Sequence, residues 1–257
     1  MGTDDAWVVR RRVVAHPRLR LFCFPYAGGG ATVYRDWPRL VPPDVEVCAI
    51  QPPGRESRLG EEGFTRMHDL LPPLAEAIGG LLDVPYVTFG HSLGALVGFE
   101  LGRHLRRVGG PLPQQLLVSG RRPPHMPGDH DPIHKMDDDH LLETVLELNG
   151  TSPEIRQHPE LLEFALPLLR ADFAISETYS YVPEPPLPCP ITAFSGASDP
   201  HVTRSEAAAW AEHTSGGFGL RMLPGDHFFL TTAQGQLLTE ISDLLTQLGA
   251  GDGPAIR

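Results

Sequence analysis

The chain has 257 residues, 41% of them hydrophobic and 21% charged, with a formal net charge of -11. That length buries a sizeable core, and the proportions are those of a globular protein. The negative balance argues against nucleic acid as a partner and against polybasic attachment to a membrane, because both need basic faces.

At the N-terminus, Met1 to Arg12 holds an arginine cluster with no apolar stretch behind it, so no signal peptide is expected. No later run is long and apolar enough to span a bilayer. Leu19 to Phe24 is a short apolar strand pattern that ends at Pro25 and leads into Gly28-Gly29-Gly30. Val45 to Ile50 is a second, ended by Pro52-Pro53-Gly54. Pro85 to Phe89, Gln115 to Ser119, Ile191 to Ser195 and Leu220 to Leu223 follow, each bounded by turn residues. Helical periodicity starts at Ser92 and recurs over Ala207 to Ala211 and Leu237 to Leu248. Strands alternating with helices predict an α/β fold, a mostly parallel central sheet with helices on both faces.

The stretch 121–190 breaks the rhythm. It opens with a Pro/Asp/His-rich run, then carries a helix with Asp at its start and Asn149-Gly150 at its end. A longer helix begins at Pro159, and Pro167 inside it is expected to kink or break it. Residues 1–257 therefore read as a single domain with 121–190 as a helical lid insertion. Cys23, Cys48 and Cys189 are odd in number and widely spaced. They are expected to be buried free thiols in a reducing, cytoplasmic setting.

Gly90-His91-Ser92-Leu93-Gly94 matches G-x-S-x-G. The match gains weight from its place, directly after a strand pattern and directly before a helix, the setting of a nucleophile elbow. A serine hydroxyl needs a base and a group that orients the base. His227, in Pro224-Gly225-Asp226-His227-Phe228, follows the last strand, and Asp199, in Gly196-Ala197-Ser198-Asp199, follows the one before. Both loops lie on the sheet edge where Ser92 is expected. Asp226 and Asp172 are the alternative acids; Asp226 reads as a loop or cap residue. The helix N-terminus offers the Leu93 N–H to a developing oxyanion, and the loop Pro25 to Gly30 offers a second donor. Its glycines are not spaced G-x-G-x-x-G and no GK[ST] follows, so no phosphate or dinucleotide cofactor is expected. His125, His130, His134 and His140 cluster with acids but fit no metal-ligand spacing, so no metal is expected.

Six segments in order resemble the type II thioesterases, α/β-hydrolases that edit polyketide and nonribosomal peptide assembly. They are Phe24 to Gly29, Gln51-Pro52-Pro53-Gly54-Arg55-Glu56, Gly90 to Ala95, Leu169-Arg170-Ala171-Asp172-Phe173, Gly196 to Asp199 and Gly225 to Phe229. The resemblance implies Ser92, Asp199 and His227 as a triad, with the Ala27 and Leu93 N–H groups forming the oxyanion hole. It implies carrier proteins bearing acyl-phosphopantetheine as partners; the start at Met1 and the lack of a carrier-domain segment fit a free-standing protein, expected to be a monomer. Arg103, Arg106, Arg107, Arg121 and Arg122 are candidates for docking an acidic carrier protein, with a solvated helix face as the alternative. The triad alone leaves a general carboxylesterase, an amidase or an acyl-CoA thioesterase open, as well as acyl transfer, macrocyclisation and a non-catalytic binding module.

Overall fold

The computed structural model describes residues 6–126, 132–147 and 159–250. The Asn149-Gly150 helix end and His130 lie outside them. Seven strands form one sheet in the order β1-β3-β2-β4-β5-β6-β7. They are β1 (Val8–Val9), β2 (Leu19–Phe24), β3 (Val45–Ile50), β4 (Tyr86–His91), β5 (Gln115–Ser119), β6 (Ile191–Gly196) and β7 (Phe218–Leu223). Only β1 runs antiparallel, against β3; the rest are parallel. The helices are α1 (Met67–Gly79), α2 (Leu93–Arg107), α3 (Asp138–Glu147), α4 (Pro159–Glu177), α5 (Arg204–Ala208), α6 (Phe229–Thr232) and α7 (Gln234–Ala250). No helix among the described residues is long and apolar enough to cross a membrane.

Strands β2 to β6 are buried along their whole length because both faces are covered, whereas the edge strand β7 is only partly buried. On β2, Leu19, Leu21 and Cys23 pack with Trp37 and with Leu237, Leu238, Ile241 and Leu245 of α7. Phe22 and Phe24 point the other way, against α1 and α2. Parallel pairing brings all the strand C-termini to one edge, with Phe24 opposite Gly90 and His91 opposite Ser119.

Three elements are absent from the strand and helix patterns read above, among them α6, a single turn of four residues. Strand β1 is two residues long, too short for periodicity to register. Helix α1 carries Pro72 and Pro73 in its interior, each of which removes a helical donor at a cost of about 3 kcal/mol. Its buried stripe of Met67, Leu70, Leu71, Leu74, Ala77 and Ile78 offsets this, at roughly 1.5–3 kcal/mol per large apolar side chain. Helix α4 likewise runs unbroken through Pro167.

Between β5 and β6 the chain leaves the sheet and carries α3 and α4. Ile133, Leu141, Val145 and Leu169 form a small core of their own there. Polar ties complete it. Glu177 accepts from the Ile133 and His134 N–H groups at 2.9 and 3.0 Å and meets His134 Nδ1 at 2.6 Å. Arg170 donates to the His134 and Met136 carbonyls at 2.7 and 2.6 Å and to Asp138 at 2.7 Å.

Candidate active site

Strand β4 ends and α2 begins within one residue, and the backbone between them is forced. Ser92 has φ +53 and ψ -113, a conformation that L-residues hold only when their surroundings impose it. A Cβ on Gly90 would lie 2.1 Å from the Gly94 carbonyl oxygen. A Cβ on Gly94 would lie 2.1 Å from the Phe24 carbonyl oxygen. Both glycines are therefore steric requirements of the turn. The Ser92 N–H is anchored to the Ser119 carbonyl at 2.8 Å, which ties the elbow to β5.

The loops after β6 and β7 are zipped together. Ala197 N–H donates to the Leu223 carbonyl at 2.7 Å and Ser198 N–H to the Gly225 carbonyl at 3.0 Å. Gly196 permits the approach, since a Cβ there would lie 2.3 Å from the Asp226 carbonyl oxygen. Consequently Asp199 Oδ2 meets His227 Nδ1 at 2.9 Å, 28 residues apart in sequence. The Asp199 Oδ1 accepts from the His201 and Val202 N–H groups at 2.8 and 3.3 Å. Burial pushes the Asp199 carboxyl up, but the hydrogen bond and charge of His227 and the bond from His201 outweigh it and hold it below the usual carboxylate range. Asp226 accepts from the Phe228 N–H at 2.9 Å within its own turn.

His91, the residue before Ser92, is fully buried. Its ring lies 5.3 Å from that of His227 and packs on Tyr26, Phe228 and Phe229. Burial, then the charge of His227, pulls its pKa down to about 3, so it stays a neutral ring. Its Nδ1 is bonded to Ser119 Oγ at 2.9 Å. The contact with His227 brings that imidazole beside the elbow, although no hydrogen bond joins Ser92 to His227 among the described residues.

Backbone donors converge on the same edge. The Leu93 N–H opens α2 and has no acceptor among the described residues, as the first N–H groups of a helix do not. In the loop after β2, Gly28 N–H donates to Asp172 Oδ2 at 2.7 Å, Gly29 N–H to the Tyr26 carbonyl at 2.9 Å and Ala31 N–H to Gln51 at 2.7 Å. The Ala27 N–H is left without an acceptor among the described residues. Asp172, one of the alternative acids, is bonded to Gly28 and Arg55 and has no bond to His227.

The remaining candidates are used internally. His125 meets His213 at 2.7 Å, His134 meets Glu177, and His140 meets Asp137 at 2.8 Å. Arg103 is buried and paired with Glu100 and Glu184. Arg106 and Arg107 reach Glu184 at 2.6 and 3.4 Å, and Arg122 reaches Glu206 at 3.4 Å. Arg121 is desolvated enough to pull its pKa down to about 10. Arg103 and Arg106 thus hold the segment Val182 to Pro186 against α2, while the Arg107 side chain keeps about half of its surface exposed (49%). Cys23, Cys48 and Cys189 are buried free thiols. Burial pushes Cys23 well up, Cys48 to about 12 and Cys189 to about 11.

A profile of the thioesterase domain family matches residues 19–245. The linear gramicidin dehydrogenase LgrE of Brevibacillus parabrevis is 43% identical over 246 residues, covering 95% of this chain and 94% of the relative. The thioesterase PikA5 of Streptomyces venezuelae is 36% identical over 98% of this chain and 90% of its own length. Among solved structures, the type II thioesterase BorB from the borrelidin biosynthetic cluster superposes with a TM-score of 0.85 at 36% identity, covering 95% of this chain and 99% of that one.

Proposed function

The chain belongs to the thioesterase domain family, hydrolases of thioesters, and from that premise we propose that Ser92, His227 and Asp199 release acyl groups from the phosphopantetheine arms of carrier proteins. The observation that carries this reading is the Asp199–His227 pair at 2.9 Å, seated beside a strained serine at a helix N-terminus. The pathway setting rests on the relatives, which include BorB from a biosynthetic cluster and PikA5.

In this mechanism the Ser92 Oγ attacks the thioester carbonyl while His227 takes its proton. Asp199 fixes the imidazole tautomer through Nδ1 and stabilises the imidazolium. The Leu93 and Ala27 N–H groups receive the oxyanion. The C–S bond breaks, and the pantetheine thiol leaves with the proton from His227. Water, deprotonated by His227, then opens the acyl-enzyme and yields the free acid. Residues 121–190 act as the lid over this path. Three buried free thiols suit a reducing cytoplasm, where we place the enzyme as a monomer. The dehydrogenase name of LgrE does not transfer readily. The loop after β2 spends Gly28 and Gly29 N–H on Asp172 and Tyr26 rather than holding them for a dinucleotide phosphate.

The test is Ser92→Ala assayed on an acyl group loaded on a carrier protein. Release falls by roughly a thousandfold or more; a rate within about tenfold of the parent enzyme overturns the assignment. Parallel rates on simple esters separate the editing role from a general carboxylesterase, which would favour the free ester.

A further inference from the structure

Two of the segments that carry the family resemblance do not enter the triad: Gln51 to Glu56, after β3, and Leu169 to Phe173, on α4. In the structure they meet. Asp172 Oδ2 accepts from Arg55 Nη2 and from the Gly28 N–H, and both side chains are buried. Arg55 is itself held, with Nη1 on the Pro53 carbonyl at 2.6 Å and its own carbonyl accepting from Gln51 Nε2 at 2.7 Å. Gln51 and Glu56 also reach the far end of the loop after β2, accepting from the Ala31 and Thr32 N–H groups at 2.7 and 2.9 Å.

The peptide planes around Ala27 show what this does. The Tyr26–Ala27 plane carries the Ala27 N–H and is oriented because the Tyr26 carbonyl accepts from Gly29 at 2.9 Å. In a trans peptide the N–H points opposite to that carbonyl. The next plane, Ala27–Gly28, is oriented because its N–H is held by Asp172. Both planes flanking Ala27 are thus fixed, one by a turn and one by a carboxylate on α4. Gly28 lets the helix come this close: it sits at φ +79, and a Cβ there would lie 2.7 Å from Leu169. A lone carboxylate beside a developing oxyanion would oppose it, and Arg55 supplies the compensating charge.

We propose that Asp172, paired with Arg55, is a positioning residue for the oxyanion hole: it makes the aim of the Ala27 N–H depend on the seating of α4. This rests on the thioesterase mechanism above, with Ala27 as a donor. When α4 is seated, the hole is complete; when it is displaced, the loop loses the bond that fixes one of its planes.

The experiment compares Asp172→Ala, Asp172→Asn and Arg55→Gln with the parent enzyme and with Ser92→Ala, on one acyl carrier thioester. Loss of a whole oxyanion donor costs about 10²–10³ in kcat, so loss of its support in Asp172→Ala is expected to cost about 10- to 100-fold. KM should move less than about threefold. Asp172→Asn keeps an acceptor for Gly28 and should recover part of kcat, which a purely structural role would not produce. A kcat for Asp172→Ala within about twofold of the parent overturns the inference, as does a loss carried wholly by KM. So does an Asp172→Asn variant that melts like the parent yet recovers nothing. If Asp172→Ala does not fold, Asp172→Asn and Arg55→Gln carry the test: an approximately threefold or larger fall in kcat at unchanged KM supports it, and parent-like kcat in both overturns it. An active Ser92→Ala would overturn the mechanism itself; an inactive one beside a parent-like Asp172→Ala removes this inference alone.

Discussion

The sheet and the helical segment between β5 and β6 are held by different forces. In the sheet, Phe22, Phe24, Phe89 and Phe194 are 0 to 1% exposed, sandwiched between helices on both faces. The segment above has a buried core of four residues among those described, is tied internally by Glu177 and Arg170, and is joined to the loop after β2 by Asp172. Apolar burial is strong and non-directional, whereas each hydrogen bond contributes about 0.5–1.5 kcal/mol net but specifies a position. The groups proposed to react thus stand on the stiff half. The half proposed to control access is aimed by a few directional ties, the arrangement expected of elements that open locally.

The largest effect is expected where the stiff half has no slack. Gly90→Ala would put a methyl 2.1 Å from the Gly94 oxygen and 2.5 Å from the Ala95 nitrogen, both backbone atoms. A cost of about 3 kcal/mol or more follows, so the melting temperature should drop by about 6–12 °C. A variant melting within about 2 °C of the parent would mean that strand and helix can part at the elbow.

Leu141→Ala probes the other half. The residue is fully buried in the small core of the segment, so about 2–5 kcal/mol of local stability is lost. Hydrogen exchange across Leu141 to Val145 should quicken by an order of magnitude or more, with β4 and β5 amides unchanged. Equal quickening in both places would show one cooperative unit and dissolve the contrast.

The smallest effect lies at the seam. His125, just past β5, bonds His213, which is buried among Phe99, Tyr181 and Trp210. Burial, then the charges of His125 and Arg103, pulls the His213 pKa down to about 4. An unfolded chain takes this proton near pH 6.5, so between those values the unfolded state binds more protons. Stability from this site is therefore full at neutral pH and declines as pH falls from about 6.5 towards 4. His91 adds the same sign. Thermal melts from pH 7 to 4 should show a shallower decline in His213→Gln; an unchanged slope would remove His213 from the account.

These regions were also unequally legible. The elbow was readable because everything it needs is local: a strand, two glycines and a helix within a few residues. Asp199 and His227 were readable because a parallel sheet brings every strand's C-terminal loop to one edge, whatever their separation in sequence. Helix α1 escaped because Pro72 and Pro73 argue locally against a helix that packing makes possible. The expected break at Pro167 failed for a similar reason. Asp172 could be singled out but not paired, since Arg55 lies 117 residues away and a side-chain contact at that range leaves no periodic trace. The ion pairs of the arginines after Ser92 were hidden for the same reason, since Glu184 lies 78 residues from Arg106.

The buried cysteines have a practical consequence at the bench. A thiol reacts with aromatic disulfide reagents only as an accessible thiolate, and burial holds Cys23, Cys48 and Cys189 away from both conditions. Turnover that liberates a pantetheine sulfhydryl can therefore be followed continuously with a chromogenic disulfide, because the catalyst contributes no reactive sulfur of its own and is not inactivated by the indicator.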